Sequence, residues 1–194
     1  MRFEQLSIAE VQLVTPRRFA DARGYFMETF RENVFSEKLG DFAFVQENRS
    51  LSVEKGTVRG LHFQLEPRAQ GKLVSCIAGA ILDVAVDIRV GSPSFGRHVG
   101  AELTASNGCM LWIPPGFAHG FCTLMPDTLV SYKVTDYYSP EHDRGLAWND
   151  PALAIDWPVK ESNAVLSTKD QSQPLLADLW RTAMPQTAQE SLFA

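Results

Sequence analysis

The sequence predicts an all-β sandwich or barrel, and three observations carry that reading. In mid-chain Leu82, Val84, Val86, Ile88 and Val90 alternate with Asp83, Ala85, Asp87 and Arg89, the period-2 mark of a strand with one buried face. Turn chemistry recurs at Gly79, Gly91-Ser-Pro93-Ser and Ser106-Asn107-Gly108, close to the ~8–12-residue spacing of a sandwich or barrel. Helical patterning is confined to Arg31–Leu39 and Leu175–Trp180, which predict short helices at the periphery.

The 194 residues suffice for one unit with a sizeable core, expected over residues 1–183, with a polar, frayed tail over 184–194. A composition of 45% hydrophobic and 21% charged residues is that of an ordinary globular chain. Eighteen basic against 23 acidic side chains give a net charge of −5, which excludes a phosphate backbone as the main partner because that needs a broad basic face. Cys76, Cys109 and Cys122 are odd in number and lack CxxC spacing, so no zinc knuckle, redox pair or disulfide framework is expected, and a reducing cytoplasm fits. The start, Met1-Arg2-Phe3-Glu4-Gln5, has no apolar signal core. Residues 103–126 contain no Asp, Glu, Lys or Arg, yet Asn107, Pro114-Pro115 and His119 interrupt them, so no membrane association is expected. GxGxxG, GxxxxGK and GxSxG are absent, which removes dinucleotide, P-loop and hydrolase-elbow chemistry.

Two of the four histidines stand in structured surroundings. In Arg59-Gly60-Leu61-His62-Phe63-Gln64 a strand would put His62 and Gln64 on one face, and Gly60 permits close backbone approach. In Trp112-Ile-Pro114-Pro-Gly116-Phe-Ala-His119-Gly120-Phe121 a turn delivers His119 into an apolar strand. Gly60-Leu-His62 and Pro114-x-Gly116-x-x-His119 together resemble the two-motif pattern of the cupin superfamily, jelly-roll sandwiches with an interior site. Most cupins hold a metal with three histidines and a glutamate. Here the corresponding positions carry Gln64 and then Arg68 or Ala69, leaving His62 and His119, too few for a tight site, so neither metal nor cofactor is expected.

A closer resemblance covers residues 21 to 170 in order. Asp21-Ala-Arg23-Gly-Tyr-Phe26-Met-Glu28, Gln46-Glu-Asn48, Arg59-Gly-Leu-His-Phe-Gln64, Gly71-Lys72, Asp83-Val-Ala-Val-Asp87, Leu111–Phe121, Tyr132-Lys, Tyr137-Tyr138-Ser-Pro140, Trp148-Asn-Asp-Pro151 and Leu166-Ser-Thr-Lys-Asp170 resemble the dTDP-4-dehydrorhamnose 3,5-epimerase family. The resemblance implies a cupin-like jelly-roll with a few short peripheral helices. It also implies cofactor-free conversion of dTDP-4-dehydro-6-deoxy-D-glucose to dTDP-4-dehydro-L-rhamnose, for L-rhamnose supply, by a homodimer. His62 would be the base, Asp170 its orienting carboxylate, Tyr132 the proton donor and Lys72 the cation beside the C4 oxygen. Arg23 and Arg59 would contact the diphosphate, and Glu28, Gln46, Glu47 and Asn48 the nucleotide. Tyr138 would stack on thymine, with His119, Asp143 and Lys169 as further substrate contacts. At Glu47 the family more often has Asp.

These residue types suit the task. Epimerisation beside a ketone needs a base, a holder for the enolate oxygen and an acid on the opposite face, and histidine titrates at ~6.5 near working pH. His98 and His142 read as ordinary solvated or core histidines, and Asp83 and Asp87 as supporting or interface residues. The alternatives are an epimerase acting at C3 or C5 only, a non-catalytic cupin that binds a nucleotide sugar, and a metal-dependent cupin enzyme, which Gln64 disfavours.

Overall fold

The computed structural model describes residues 1–183; the expected tail over 184–194 lies outside the described residues. Two antiparallel sheets are packed face to face. Strands β1 (Arg2–Gln5), β2 (Gln12–Thr15), β5 (Gln46–Ser52), β7 (Lys72–Ala78), β10 (Met110–Ile113) and β12 (Thr128–Val134) make a six-stranded sheet in the order β1-β2-β10-β7-β12-β5. Strands β6 (Val58–Gln64), β8 (Ala80–Asp87), β9 (His98–Thr104), β11 (Phe117–Thr123) and β13 (Asp143–Gly145) make the other, in the order β13-β6-β11-β8-β9. Strands β3 (Arg18–Asp21) and β4 (Gly24–Met27) form a separate hairpin. Neighbours distant in sequence, such as β10 beside β2, are the jelly-roll pattern of crossings between two sheets.

The helices lie outside the sandwich. Helix α1 (Glu32–Leu39) falls within the predicted 31–39 segment and sets Phe35 against Val14, Leu73, Met110 and Trp112 on the outer face of the larger sheet. Helix α2 (Thr168–Gln171) is one turn, and α3 (Leu176–Ala183) follows it. Between the sheets, Ile81, Ala85, Val99, Leu103, Phe117 and Phe121 meet Val74, Leu111, Ile113 and Val130. Burial of so many branched and aromatic side chains stabilises by about 25 cal/mol per Å² of apolar surface removed from water.

One expectation needs correction. The alternating segment forms β8 as predicted, but both of its faces are buried. Val84, Val86 and Ile88 point away from the sandwich, onto Leu146, Leu153, Leu176 and Leu179 of the C-terminal segment. The face carrying Asp83 and Asp87 is the interior one, alongside Ile81 and Ala85. The C-terminal chain therefore supplies the cover that water would otherwise provide, and the strand's polar side is free to furnish an interior site.

Candidate active site

Strands β6 and β11 run side by side with His62 and His119 as direct partners. Gly60 makes that approach possible: its φ is +131°, and a Cβ there would lie 2.5 Å from the Gly120 Cα. Both histidines face the sandwich interior, since Leu61 and Phe63 on β6 and Ala118 on β11 point the other way. Next to them a cavity of about 340 Å³ opens between the sheets.

Each histidine is paired with a carboxylate. His62 Nε2 lies 2.5 Å from Asp170 Oδ1; the imidazole side chain is 31% exposed and the carboxylate 4%. Asp170 sits in the first turn of α2, where Ser167 caps the helix and donates to the second carboxylate oxygen at 2.7 Å. Burial pushes the Asp170 carboxyl upward, but the hydrogen bonds from His62 and Ser167 outweigh it and hold the group below the ordinary carboxylate value. With the Nε2 hydrogen directed to Asp170, the neutral ring keeps its lone pair on Nδ1 for a proton. His119 Nε2 lies 2.7 Å from Asp83 Oδ1, with exposures of 8% and 0%. Burial pushes this imidazole below its ordinary value, with Asp83 pulling against the shift, and His119 does not line the cavity. The second Asp83 oxygen is buried without a hydrogen-bond partner among the described residues.

Lys72 and Tyr132 share the cavity wall with His62. Lys72 begins β7, and its ammonium donates to the His62 carbonyl at 3.1 Å. Burial lowers its pKa to about 8, opposed by Asp143 and Asp83, so it is mainly a cation at neutral pH. Burial likewise raises the Tyr132 phenol, keeping it protonated. A base, a buried cation and a neutral phenol facing one volume is a set able to remove a proton beside a carbonyl, hold the enolate oxygen and return a proton.

The rest of the wall is polar. Gln46 and Asn48 face the cavity from β5, Tyr138 and Asp143 come from the β12–β13 connection and β13, and Lys169 from α2. Asp143 accepts from the Tyr138 hydroxyl at 3.0 Å and from Lys169 Nζ. Tyr138 is accordingly raised, first by that hydrogen bond.

Some expected residues are elsewhere. Glu47 points to the outer face of the larger sheet, where it accepts from Lys133 Nζ and Ser131 Oγ, both at 2.7 Å. The cause is strand parity: Gln46 and Asn48 face inward, so Glu47 between them cannot. It lines a larger cavity of about 430 Å³ that contains neither His62 nor Lys72; chemistry, not volume, selects the site. Arg23 is paired with Asp21 at the β3–β4 turn and Glu28 with Arg31, and neither lines the 340 Å³ cavity. Arg59 is turned to Ser52 Oγ and the Leu51 carbonyl, close enough to Tyr132 for its charge to be felt there. Among the described residues no three His, Cys, Asp or Glu side chains are grouped to hold a metal ion. Sequence reasoning gave Asp83 a supporting role without naming His119 as its partner, and did not place Gln64 and Gln70 in the cavity wall. The shared face of His62 and Gln64 was the available signal for the former glutamine.

Comparison with known proteins agrees with this geometry. A family profile described as dTDP-4-dehydrorhamnose 3,5-epimerase matches residues 5–178. The dTDP-4-dehydrorhamnose 3,5-epimerase of Sinorhizobium fredii is 62% identical over 179 residues, covering 92% of this chain and 91% of the relative. The dTDP-6-deoxy-D-glucose-3,5-epimerase of Legionella pneumophila, solved with dTDP-4-keto-L-rhamnose, superposes with a TM-score of 0.89 at 45% identity, covering 95% of this chain and 97% of the other. A 3'-monoepimerase from Streptomyces bikiniensis, solved with dTDP-quinovose, is 32% identical with a TM-score of 0.87, covering 98% and 97%. A jelly-roll interior with a solvent-reached His–Asp pair, a family profile spanning most of the sequence and these near relatives lead to one assignment: the chain belongs to the dTDP-4-dehydrorhamnose 3,5-epimerase family.

Proposed function

We propose that this isomerase inverts C3 and C5 of dTDP-4-dehydro-6-deoxy-D-glucose to give dTDP-4-dehydro-L-rhamnose. The observation that carries the mechanism is that His62, backed by Asp170 at 2.5 Å, faces the same cavity as Lys72 and Tyr132. The C4 ketone acidifies the hydrogens on both neighbouring carbons. His62 Nδ1 takes one of them, the C–H electron pair moves into the enolate, and the Lys72 ammonium stabilises the oxygen on which charge develops. Tyr132 then delivers its hydroxyl proton to the other face of that carbon. Exchange with water returns the proton to Tyr132 and removes it from His62 before the next inversion, so the hydrogen gained derives from solvent.

The diphosphate end calls for Arg59, whose planar fork suits two oxygens, and the nucleotide for Gln46, Asn48 and Tyr138 at the rim. Arg23 and Glu28 act here through a homodimer, in which the β3–β4 hairpin of one copy reaches the cavity of the other. Phe19, Tyr25 and Phe26 on that hairpin are 50%, 56% and 70% exposed, an apolar surface that a second copy would cover. The unit is the single sandwich over 1–183, and its three free thiols fit a cytoplasmic setting. No described helix is long and apolar enough to cross a membrane.

Turnover in deuterated water tests the function. Proton NMR of the product should show deuterium at both C3 and C5. Label at one carbon alone would make this a single-carbon epimerase, and dTDP binding without any label would make it a binding protein.

A further inference from the structure

Between β12 and β13 the chain passes through residues 136–139 without regular structure, and glutamine side chains answer much of its backbone. Gln70 Nε2 donates to the Asp136 carbonyl at 2.7 Å. Gln64 Nε2 donates to the carbonyls of Arg68 at 2.6 Å and Tyr137 at 3.2 Å, and Gln64 Oε1 accepts from the Ser139 N–H at 2.8 Å. Gln46 Oε1 accepts from the Tyr138 N–H at 3.1 Å, while its own amide donates to Asn48 Oδ1 at 2.9 Å. A segment outside the sheets has no ladder partners for its backbone groups, and here side chains supply them from β5, β6 and the β6–β7 connection. An amide suits Gln64's place because the segment presents a carbonyl and an N–H to one planar group; a carboxylate has no donor at neutral pH. Gln64 is 5% exposed with both ends of its amide engaged.

The clamped segment carries Tyr138. That ring is 56% exposed, yet it is fixed at its backbone by Gln46 and at its hydroxyl by Asp143. An aromatic left in water but tethered at both ends, on the rim of a polar cavity, is built to be covered by a ligand.

We propose that Gln64 and Gln70, with Gln46, are positioning residues that clamp segment 136–139 and so present Tyr138 as a preset stacking platform for the flat base of a nucleotide. The class of ligand rests on the nucleotide-sugar function proposed above; the clamp itself rests on the hydrogen bonds. Its consequence is a lower ordering cost on binding, so the clamp acts on affinity and leaves proton transfer alone.

The test uses the full chain with Gln64→Glu, which keeps the acceptor for Ser139 but sets a carboxylate against two carbonyls, and the milder Gln70→Ala. Calorimetry with dTDP and initial rates should give a Kd and KM raised ~10-fold for Gln64→Glu and ~3-fold for Gln70→Ala, with kcat within about twofold of the parent. Amide exchange at residues 137–139 of the ligand-free protein should quicken in both variants. In a Tyr138→Ala background Gln70→Ala should add less than about twofold to Kd, since the clamp works through the ring. The same fold-change in both backgrounds, a fall in kcat with Kd unchanged, or unaltered exchange at 137–139 would overturn the clamp. Quickened exchange in a protein whose parent does not bind dTDP would uphold the clamp and overturn the nucleotide reading instead.

Discussion

The interior holds two histidine–carboxylate pairs on neighbouring strands, and they differ in what surrounds them. His62–Asp170 faces a cavity, and its carboxylate is delivered by a helix turn that joins β6 from outside the sheets. His119–Asp83 belongs wholly to β11 and β8, is almost fully buried and is absent from the cavity wall. The same two residue types are thus placed for different work. A base must meet its substrate and gain and lose protons, which requires solvent-reached volume; a pair nearly closed off in the sandwich is placed to hold neighbours and supply fixed charge. Asp83 supplies such charge to Lys72, whose pKa it raises against the effect of burial.

Substitutions that break this contrast should differ in size. The largest loss falls on the cavity-facing pair: Asp170→Asn should lower kcat by ~10²–10⁴, because the amide no longer fixes the tautomer or stabilises the imidazolium. Lys72→Met comes next, with turnover lowered ~10²–10³ as the cation at the enolate oxygen is lost. The same variant should unfold at a higher temperature, by about 1–3 kcal/mol of added stability, since it relieves the burial of an amine. Initial rates and thermal unfolding measured on one preparation check both.

The buried pair should instead register in the pH profile. Lys72 titrates at about 8 in the folded protein against 10.5 ordinarily, so activity that needs the ammonium should fall as pH rises through about 8. Between those two values the unfolded chain binds more protons at this group, and its contribution to stability therefore rises with pH. Asp83→Asn removes a charge that holds the proton on Lys72, so the alkaline limb of kcat/KM should move to lower pH; an unmoved limb would deny the coupling. Ser167→Ala sharpens the comparison from the other side. It removes both the α2 cap and a hydrogen bond to Asp170, and should cost about 1 kcal/mol in unfolding and a few-fold in kcat. Glu47→Gln should have the smallest effect, with KM for the dTDP-sugar within about twofold, because its exposed ion pair with Lys133 lies on the outer sheet face.

Much of this was legible in the sequence. Period-2 alternation located β8, the Gly and Pro turns marked its ends, and the two histidine motifs identified β6 and β11; that these two strands pair directly, with Gly60 close against Gly120, is seen only in the fold. Alternation states that a strand has two unlike faces, but not which one looks inward. On β8 the apolar face looks outward, because the later segment carrying Leu146, Leu153, Leu176 and Leu179 folds back to cover it, and such long-range cover leaves no local trace. The same limit applied to Glu47, placed with its neighbours by resemblance yet turned away by parity. Gln64 was legible as a neighbour of His62 on one strand face and as lacking a metal ligand's chemistry; that its amide clamps a loop more than 70 residues away is a tertiary fact.

The most direct test of the division between the two pairs is solvent exchange by His62→Asn and His119→Asn, compared in deuterated water with dTDP affinity measured alongside. His62→Asn should abolish deuterium entry at C3 and C5 while keeping affinity within a few-fold, and His119→Asn should retain entry at both carbons. Exchange at the parent rate in His62→Asn, or its complete loss only in His119→Asn, would contradict the assignment of the base.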